Sequence, residues 1–320
     1  MSLIVCSDLH LTSKEPFYKS KKLFINWFVE QDYNNKDNVL LFLGDIFDKC
    51  PPDPITNELV IDFFNKLKFK EIIVLSGNHD YSGIIKQNAL IILDKYNTVN
   101  VVYQAENKLI EGLDCLLLPF YYDNTYNLPK MYDYYSNLPK DKFKREYDYI
   151  FTHIEDESIN FGNKKGIDLS YIKGKRVQGH IHKNMIGYLN TPLVNRYDER
   201  NNKGYILEIE KDKKEKIYTV PQFLDYYDIE YPNDLIFDID IPVFTISNVE
   251  DVDNVKNYYI SKYKDKQLYF RNFVKNKQDI KDNENSYDID NLSIETIFNE
   301  FIIEKQLNDY VVDKCRNNLK

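Results

Sequence analysis

The segment IIVLSGNHD (72–80) constrains this chain more than any other. Four apolar residues, Ile72 to Leu75, run straight into Ser76, Gly77, Asn78, His79 and Asp80. The apolar run reads as a strand buried on both faces, and a simple turn has no need of the polar side chains that follow it. The same pattern recurs along the chain. LIVCS (3–7) is followed by Asp8 and His10, and VLLFLG (39–44) by Asp45 and Asp48. YDYIFTH (147–153) ends on His153, and KRVQGH (175–180) leads into His180 and His182. Amphipathic stretches at 20–32 and 55–69, with apolar residues three and four apart, separate the first three runs, while NVVY (100–103) and DCLLLPF (114–120) add further strands. Buried strands alternating with helices predict an α/β layered sheet. Ligands of open α/β sheets bind outside the carboxyl ends of the strands, where all of these polar residues fall, so the five blocks are expected to converge.

The histidines sharpen this expectation. His10, His79, His153, His180 and His182 are all the histidines in the chain, and each lies in one of the five blocks. Oxygen and imidazole donors without a thiolate suit manganese, iron or zinc. Residues two apart on an extended stretch share a side, which puts Asp8 with His10 and His180 with His182. The donors exceed what one ion needs and suit two ions sharing a bridging carboxylate.

Composition narrows the class. The chain has 320 residues, 43% of them apolar, enough to bury a substantial core. Cys6, Cys50, Cys115 and Cys315 have no paired spacing, which implies a reduced, intracellular protein. The first apolar run is broken at Asp8, so neither a signal peptide nor a membrane span is expected, and a cytoplasmic location follows. A net charge of −9 argues against a protein that merely coats nucleic acid. It leaves a nuclease open, because metal ligands are themselves acidic.

From about residue 221 the pattern changes. VFTISN (243–248), a helical 251–263 and QLYFRNFV (267–274) predict a small strand–helix–strand unit. Residues 275–291 are polar and charged and read as a linker. Residues 293–315 close with an amphipathic helix whose apolar stripe needs a cover. The expected division is 1–220, 221–275, a linker at 276–292, and 293–320.

The ordered blocks D-x-H, G-D-x-x-D, G-N-H-D, H and G-H-x-H resemble those of the calcineurin-like metallophosphoesterases. That resemblance implies a layered β-sandwich flanked by helices and two divalent cations, Mn2+ first among them. Asp8, His10, Asp45 and His182 would hold one, and Asp45, Asn78, His153 and His180 the other. His79 would act on the leaving oxygen, and Asp80 would orient the His79 imidazole. Thr152 and Asn190 stand where relatives usually have glycine. Within the superfamily the layout is similar to the SbcD-type nuclease subunits of double-strand-break repair, including those of phages. The resemblance extends to NTP (190–192) and the strand GYILEIE (204–210). It implies that 243–274 is a small α+β capping domain and that 293–315 grips an SbcC-type coiled-coil ATPase. A homodimer acting on DNA in a bacterial or phage-infected cytoplasm would follow; the apolar faces of the helices at 55–69 and 84–95 read first as core packing, although related nucleases dimerise through this region.

Lys14, Lys19, Lys21 and Lys22 after the first block, and Lys164, Lys165, Lys173, Lys175 and Arg176 before His180, are the basic candidates for a DNA backbone; a solvated surface explains each singly as well. Asp48 would line the substrate groove or cap the next helix. Tyr121, Tyr122, Tyr126 and the run at 132–135 more often pack a loop than stack on bases. KDKKEK (211–216) reads as a hairpin turn. Two other functions compete with the nuclease: a stand-alone metallophosphatase or phosphodiesterase, and a non-catalytic DNA-end scaffold regulating an ATPase.

Overall fold

The alternation of the central strands explains their continuous apolar runs. β1 (Ser2–Cys6), β2 (Val39–Phe42) and β3 (Glu71–Leu75) pair in parallel, and the chain threads α1 (Phe17–Glu30) and α2 (Pro54–Lys66) between them. Ile4, Leu40, Phe42, Ile72 and Val74 face the helices, packing with Phe24, Phe28 and Phe63. Leu3, Val5, Leu41, Ile73 and Leu75 face the opposite way, into a second core. Both faces are covered, so no position is left for a polar side chain until the strand ends. The structure is a computed structural model that describes residues 1–82, 86–121, 134–139, 143–154, 160–161, 164–182, 187–196, 199–229, 235, 237, 239–247, 252–264 and 267–273.

Three more strands complete the first sheet: β4 (Val99–Val102) beside β3, and two later strands, paired antiparallel with each other, beyond β1. Between them come β5 (Glu106–Ile110), β6 (Leu113–Leu118), β7 (Glu146–Thr152) and β8 (Lys173–Gln178). β9 (Tyr205–Glu210) and β10 (Glu215–Thr219) form the hairpin expected around 211–216. The six-stranded sheet runs β10-β9-β1-β2-β3-β4 and the four-stranded sheet β8-β7-β6-β5. Cys115, Leu117, Tyr149, Phe151 and Val177 of the second sheet meet the inner face of the first. This is a mixed α/β sandwich with α1 and α2 on the outer face of the first sheet. The outer face of the second sheet is covered by Tyr135, Leu138, Phe143, Ile167 and Leu169.

A third sheet follows, of β11 (Leu224–Ile229), β12 (Ile241–Ser247) and β13 (Tyr269–Phe273), with α3 (Val252–Lys262) between the last two. β12, α3 and β13 match the strand–helix–strand unit expected over 243–274, and β11 adds a further strand to it. Leu224, Ile241 and Val243 pack with Phe17 and Leu23 of α1, and Met1–Asn272 form one compact unit. The expected helix at 84–95 is instead a 3-10 turn over Ala89–Lys95. Gln87–Asn88 are taken up in pairing with Tyr81–Ser82, and the Asn88 side chain caps the turn by accepting from Leu90 N. The linker at 276–292, the helix at 293–315, Tyr122, Tyr126 and Tyr132 lie outside the described residues. Among the described residues, no helix is long and apolar enough to cross a membrane.

Candidate metal centre

Strand β1 delivers Asp8 and His10, β2 delivers Asp45, β3 delivers Asn78 and His79, β7 delivers His153, and β8 delivers His180 and His182. The carboxyl ends of both sheets thus open onto one point. Among the described residues three groups of donors form there: a first of Asp8, His10 and His182, a second of Asp45, His153 and His180, and a third of His10, Asp48 and His79 that shares His10 with the first. His10 Nε2 stands 3.0 Å from His182 Nε2, and His182 Nε2 3.6 Å from Asp8 Oδ1. In the second group His153 Nε2 lies 3.1 Å from Asn78 Oδ1 and His180 Nδ1 lies 2.9 Å from the same oxygen. Asp45 Oδ2 reaches the first two groups, 3.6 Å from His10 Nε2 and 3.3 Å from His153 Nε2, which is the position of a bridging carboxylate.

The tautomers can be argued from partners. A backbone carbonyl only accepts, so His153 donates through Nδ1 to Leu43 O at 2.6 Å and leaves the Nε2 lone pair for the site. His182 donates through Nδ1 to Glu199 Oε1 at 2.8 Å, again leaving Nε2. Imidazole and carboxylate donors around a divalent ion at about 2.1 Å stand roughly 3 Å apart, so the donor sets present fit a pair of cations.

Electrostatics point the same way. Burial opposes charge on His153, but Asp45 and Asp8 outweigh it and raise the imidazole to about 9. Burial likewise opposes charge on His182, and Asp8 and Glu199 lift it to about 10. Burial pushes His10 well below its usual value, helped by the neighbouring His182 and His79 and opposed by Asp45. Burial would raise Asp45, yet His153, His10 and His79 hold its carboxyl far below the usual range. A cage of anionic carboxylates that retains protons on imidazole is a cage that attracts cations.

The backbone is strained here. Among the described residues, seven that are not glycine have positive φ, and Asp8 (28°), His10 (46°), Asp45 (50°) and His180 (75°) are four of them. Gly77 is needed where two loops approach closely. A Cβ there would collide with the backbone nitrogen and carboxylate of Asp45, so the glycine permits close approach.

Two sequence expectations about catalytic residues change. Asp80 does not orient His79. Its Oδ1 accepts from Phe47 N at 3.0 Å and its Oδ2 from Gly77 N at 2.9 Å, so it clamps the two loops that carry Asp45 and Asn78. Burial, together with the nearby Asp45, raises its carboxyl to about 7. His79 is set instead by donating Nδ1 to Asp48 O at 2.6 Å, by its backbone N–H on Asp45 Oδ1 at 2.8 Å, and by an edge contact with the His10 ring. Asp48 does not cap α2. Asp53 does, accepting from Thr56 N at 3.0 Å, while Asp48 sits 4.0 Å from His10 Nδ1 and 3.6 Å from Lys14 Nζ at the site's rim.

The basic candidates separate. Lys14 is exposed beside the centre. Lys175 and Arg176 are not beside it. Five and four residues before His180 at about 3.3 Å each, they lie roughly 16 and 13 Å back along β8. Lys175 Nζ is 2.6 Å from Glu215, and Arg176 donates to Leu169 O at 2.9 Å. Lys164 and Lys165 form a short strand paired with Asn160–Phe161. Lys21 is wholly buried and donates to Leu9 O at 2.7 Å and to Asn195 Oδ1, so it faces no solvent and no DNA. Its signal was present in the sequence: Lys21, Phe24 and Phe28 are spaced three and four apart on one helical stripe. Lys22 is exposed over the Tyr18 ring. Tyr121 stacks on Tyr134 with ring centroids 3.7 Å apart, and Tyr134 accepts from Ala105 N, so these aromatics pack a loop.

A family model for calcineurin-like phosphoesterases matches residues 1–184, more than half of the chain. The chain belongs to that family. Members use divalent metals, so the chain is a metal-dependent phosphoester hydrolase with its donors at the strand ends. No curated protein matches it in a direct sequence comparison. The match ends before Glu199, which the structure nevertheless brings onto His182 of this phosphoesterase.

Proposed function

We propose that this phosphoesterase is the DNA nuclease subunit of an SbcCD-like recombination and repair complex, using two Mn2+ ions. The observation that carries the reading is the seating of the third sheet beside the first ligand block. Tyr269 donates its hydroxyl to Glu15 at 3.0 Å, and Phe17 and Leu23, which follow that block, pack on Leu224, Ile241 and Val243. A platform built next to a phosphoester site suits a long polymeric substrate and is superfluous for a small one. Lys14, exposed beside Asp48, would neutralise a backbone phosphate.

When bound, the cations supply charge for phosphate oxygens and an activated water. The chain's own contribution is positional. Asp48 O accepts from the His79 Nδ1–H and orients the ring, and a second proton carried on Nε2 would stabilise or protonate the leaving oxygen. The segment 293–315 would bind the coiled-coil base of an SbcC-type ATPase, the nuclease would act as a homodimer, and the setting would be the cytoplasm of a bacterium or an infected host.

The test is nucleotide release from linear duplex DNA with manganese, magnesium or chelator, run for wild type and His79→Ala, with bis-p-nitrophenyl phosphate as a small diester. Manganese-dependent DNA cleavage that falls by about 10²–10⁴-fold in the variant supports the reading. Hydrolysis of the small diester with no action on DNA, even when an SbcC-type partner is supplied, would instead mark a stand-alone phosphodiesterase.

A further inference from the structure

Behind the first ligand cluster lies one connected buried network that no metal donor belongs to. Glu199 is 3% exposed. Its Oε1 accepts from His182 Nδ1 at 2.8 Å, and its Oε2 accepts from Asn195 N at 2.7 Å and Arg196 N at 3.2 Å. The Asn195 side chain accepts from Lys21 Nζ and donates to Thr191 Oγ1 at 3.0 Å. Thr191 Oγ1 stands 2.8 Å from Asp8 O, and Lys21 Nζ donates to Leu9 O at 2.7 Å. The network therefore grips the backbone of Asp8 and Leu9 on one side and the ring of His182 on the other.

Lys21 is the informative member. Burial makes charge on this amine expensive and lowers its pKa to about 7, and an apolar residue of similar size on the same helical stripe would serve the core equally well or better. Its contacts are to Asn195 and to the carbonyl of Leu9, the residue between Asp8 and His10, both of which hold left-handed backbone. A strained strap keeps its shape only when its surroundings over-determine it. Glu199 has a matching task, because a carboxylate on Nδ1 fixes the tautomer that leaves Nε2 for a cation.

We infer that Glu199 and Lys21 are positioning residues for one cation of the pair, holding His182 and the Asp8–His10 strap in register through Asn195. The inference rests on the two-cation reading of the centre. It is specific to the first cluster. In the second cluster His153 is held by the main-chain carbonyl of Leu43, which no side-chain substitution removes.

The experiment is calorimetric titration of the chelator-stripped full chain with Mn2+, for wild type, Glu199→Gln, Lys21→Met and a core control, Phe28→Leu. Gln keeps only one acceptor oxygen, so it cannot serve both His182 and the loop N–H groups. Wild type is expected to bind in two events. Glu199→Gln and Lys21→Met weaken one event by about 10–100-fold and leave the other within about twofold. Lys21→Met should melt at the wild-type temperature or above it, a combination that a merely structural role does not produce. Phe28→Leu should lower the melting temperature and leave both events in place. Equal weakening of both events, or no weakening in either network variant, would overturn the inference. Fewer than two events in wild type would overturn the two-cation reading, and this inference with it.

Discussion

The two ligand clusters are built from different materials. The second is part of the sheets: Asp45 and His153 leave the ends of β2 and β7, both are fully buried, and His153 is pinned by a backbone carbonyl. The first depends on loops and side chains. Asp8 and His10 sit on a strap held through the side chains of Thr191 and Lys21, and His182 is oriented by Glu199, which comes from a segment beyond the strands that carry the ligands. Backbone carbonyls of a paired sheet move only when the sheet does, whereas a side-chain network can be loosened one bond at a time. The second cluster should therefore be the more robust of the two, and the first the more tunable.

The largest break in that contrast is Asp45→Asn, because Asp45 Oδ2 is the oxygen common to both clusters. Phosphodiester hydrolysis should fall by at least about 10³-fold, the upper end for removing a single electrostatic contact. Both metal-binding events should weaken together in calorimetry. Loss of one event alone would show that Asp45 serves a single cation.

Proton competition separates the clusters next. His153 and His182 sit at about 9 and about 10 without metal, so both are protonated at pH 7 and must lose a proton to ligate. Each then adds about tenfold to metal affinity per pH unit as pH rises toward its own value. The gain at the second cluster should level off near pH 9 and continue toward pH 10 at the first. Titrations between pH 6.5 and 8.5 in buffers of different ionisation enthalpy should register about one proton released per event from this pair. A binding isotherm independent of pH in that range would contradict both values.

The contrast also marks how far the amino-acid sequence speaks. The candidate metal donors were legible because each ends a buried strand, and an Asp or His there breaks an apolar run in a way no turn requires. The α/β layering was legible for the same reason, since both faces of β1 to β3 are covered. The partners of those ligands were not. Asp80 is adjacent to His79 in the chain, yet its oxygens turn to Phe47 and Gly77, because a buried loop must satisfy its own N–H groups first. Glu199 carries no local mark, being paired with His182 only through the return of the chain past β8. Lys21 did carry one, a charge on an apolar stripe, and helical spacing identifies it without any structure.

Gly77→Ala tests the robust cluster directly. The added methyl would meet the Asp45 backbone and carboxylate, so the loop must shift, at a cost of about 1–3 kcal/mol in thermal or urea unfolding. Metal affinity should fall for both events, more than for any single change in the Lys21 network. A variant with unchanged stability and affinity would mean that the loop has slack the close contact does not show.

The smallest effect concerns where DNA would lie. Lys14 stands at the rim of the centre next to Asp48, while Lys175 is tied to Glu215 at the far end of β8. Lys14→Ala should weaken DNA binding several-fold and reduce the slope of log K against log salt by about 1, the signature of one lost phosphate contact. Lys175→Ala should leave that slope unchanged and cost at most about 1 kcal/mol of stability, as an exposed ion pair does. If the two substitutions reduce the slope equally, the bound strand runs down the length of β8 and not across the strand ends. The platform formed by the third sheet would then lie off its path, and the argument for a polymeric substrate would have to rest on β8 itself.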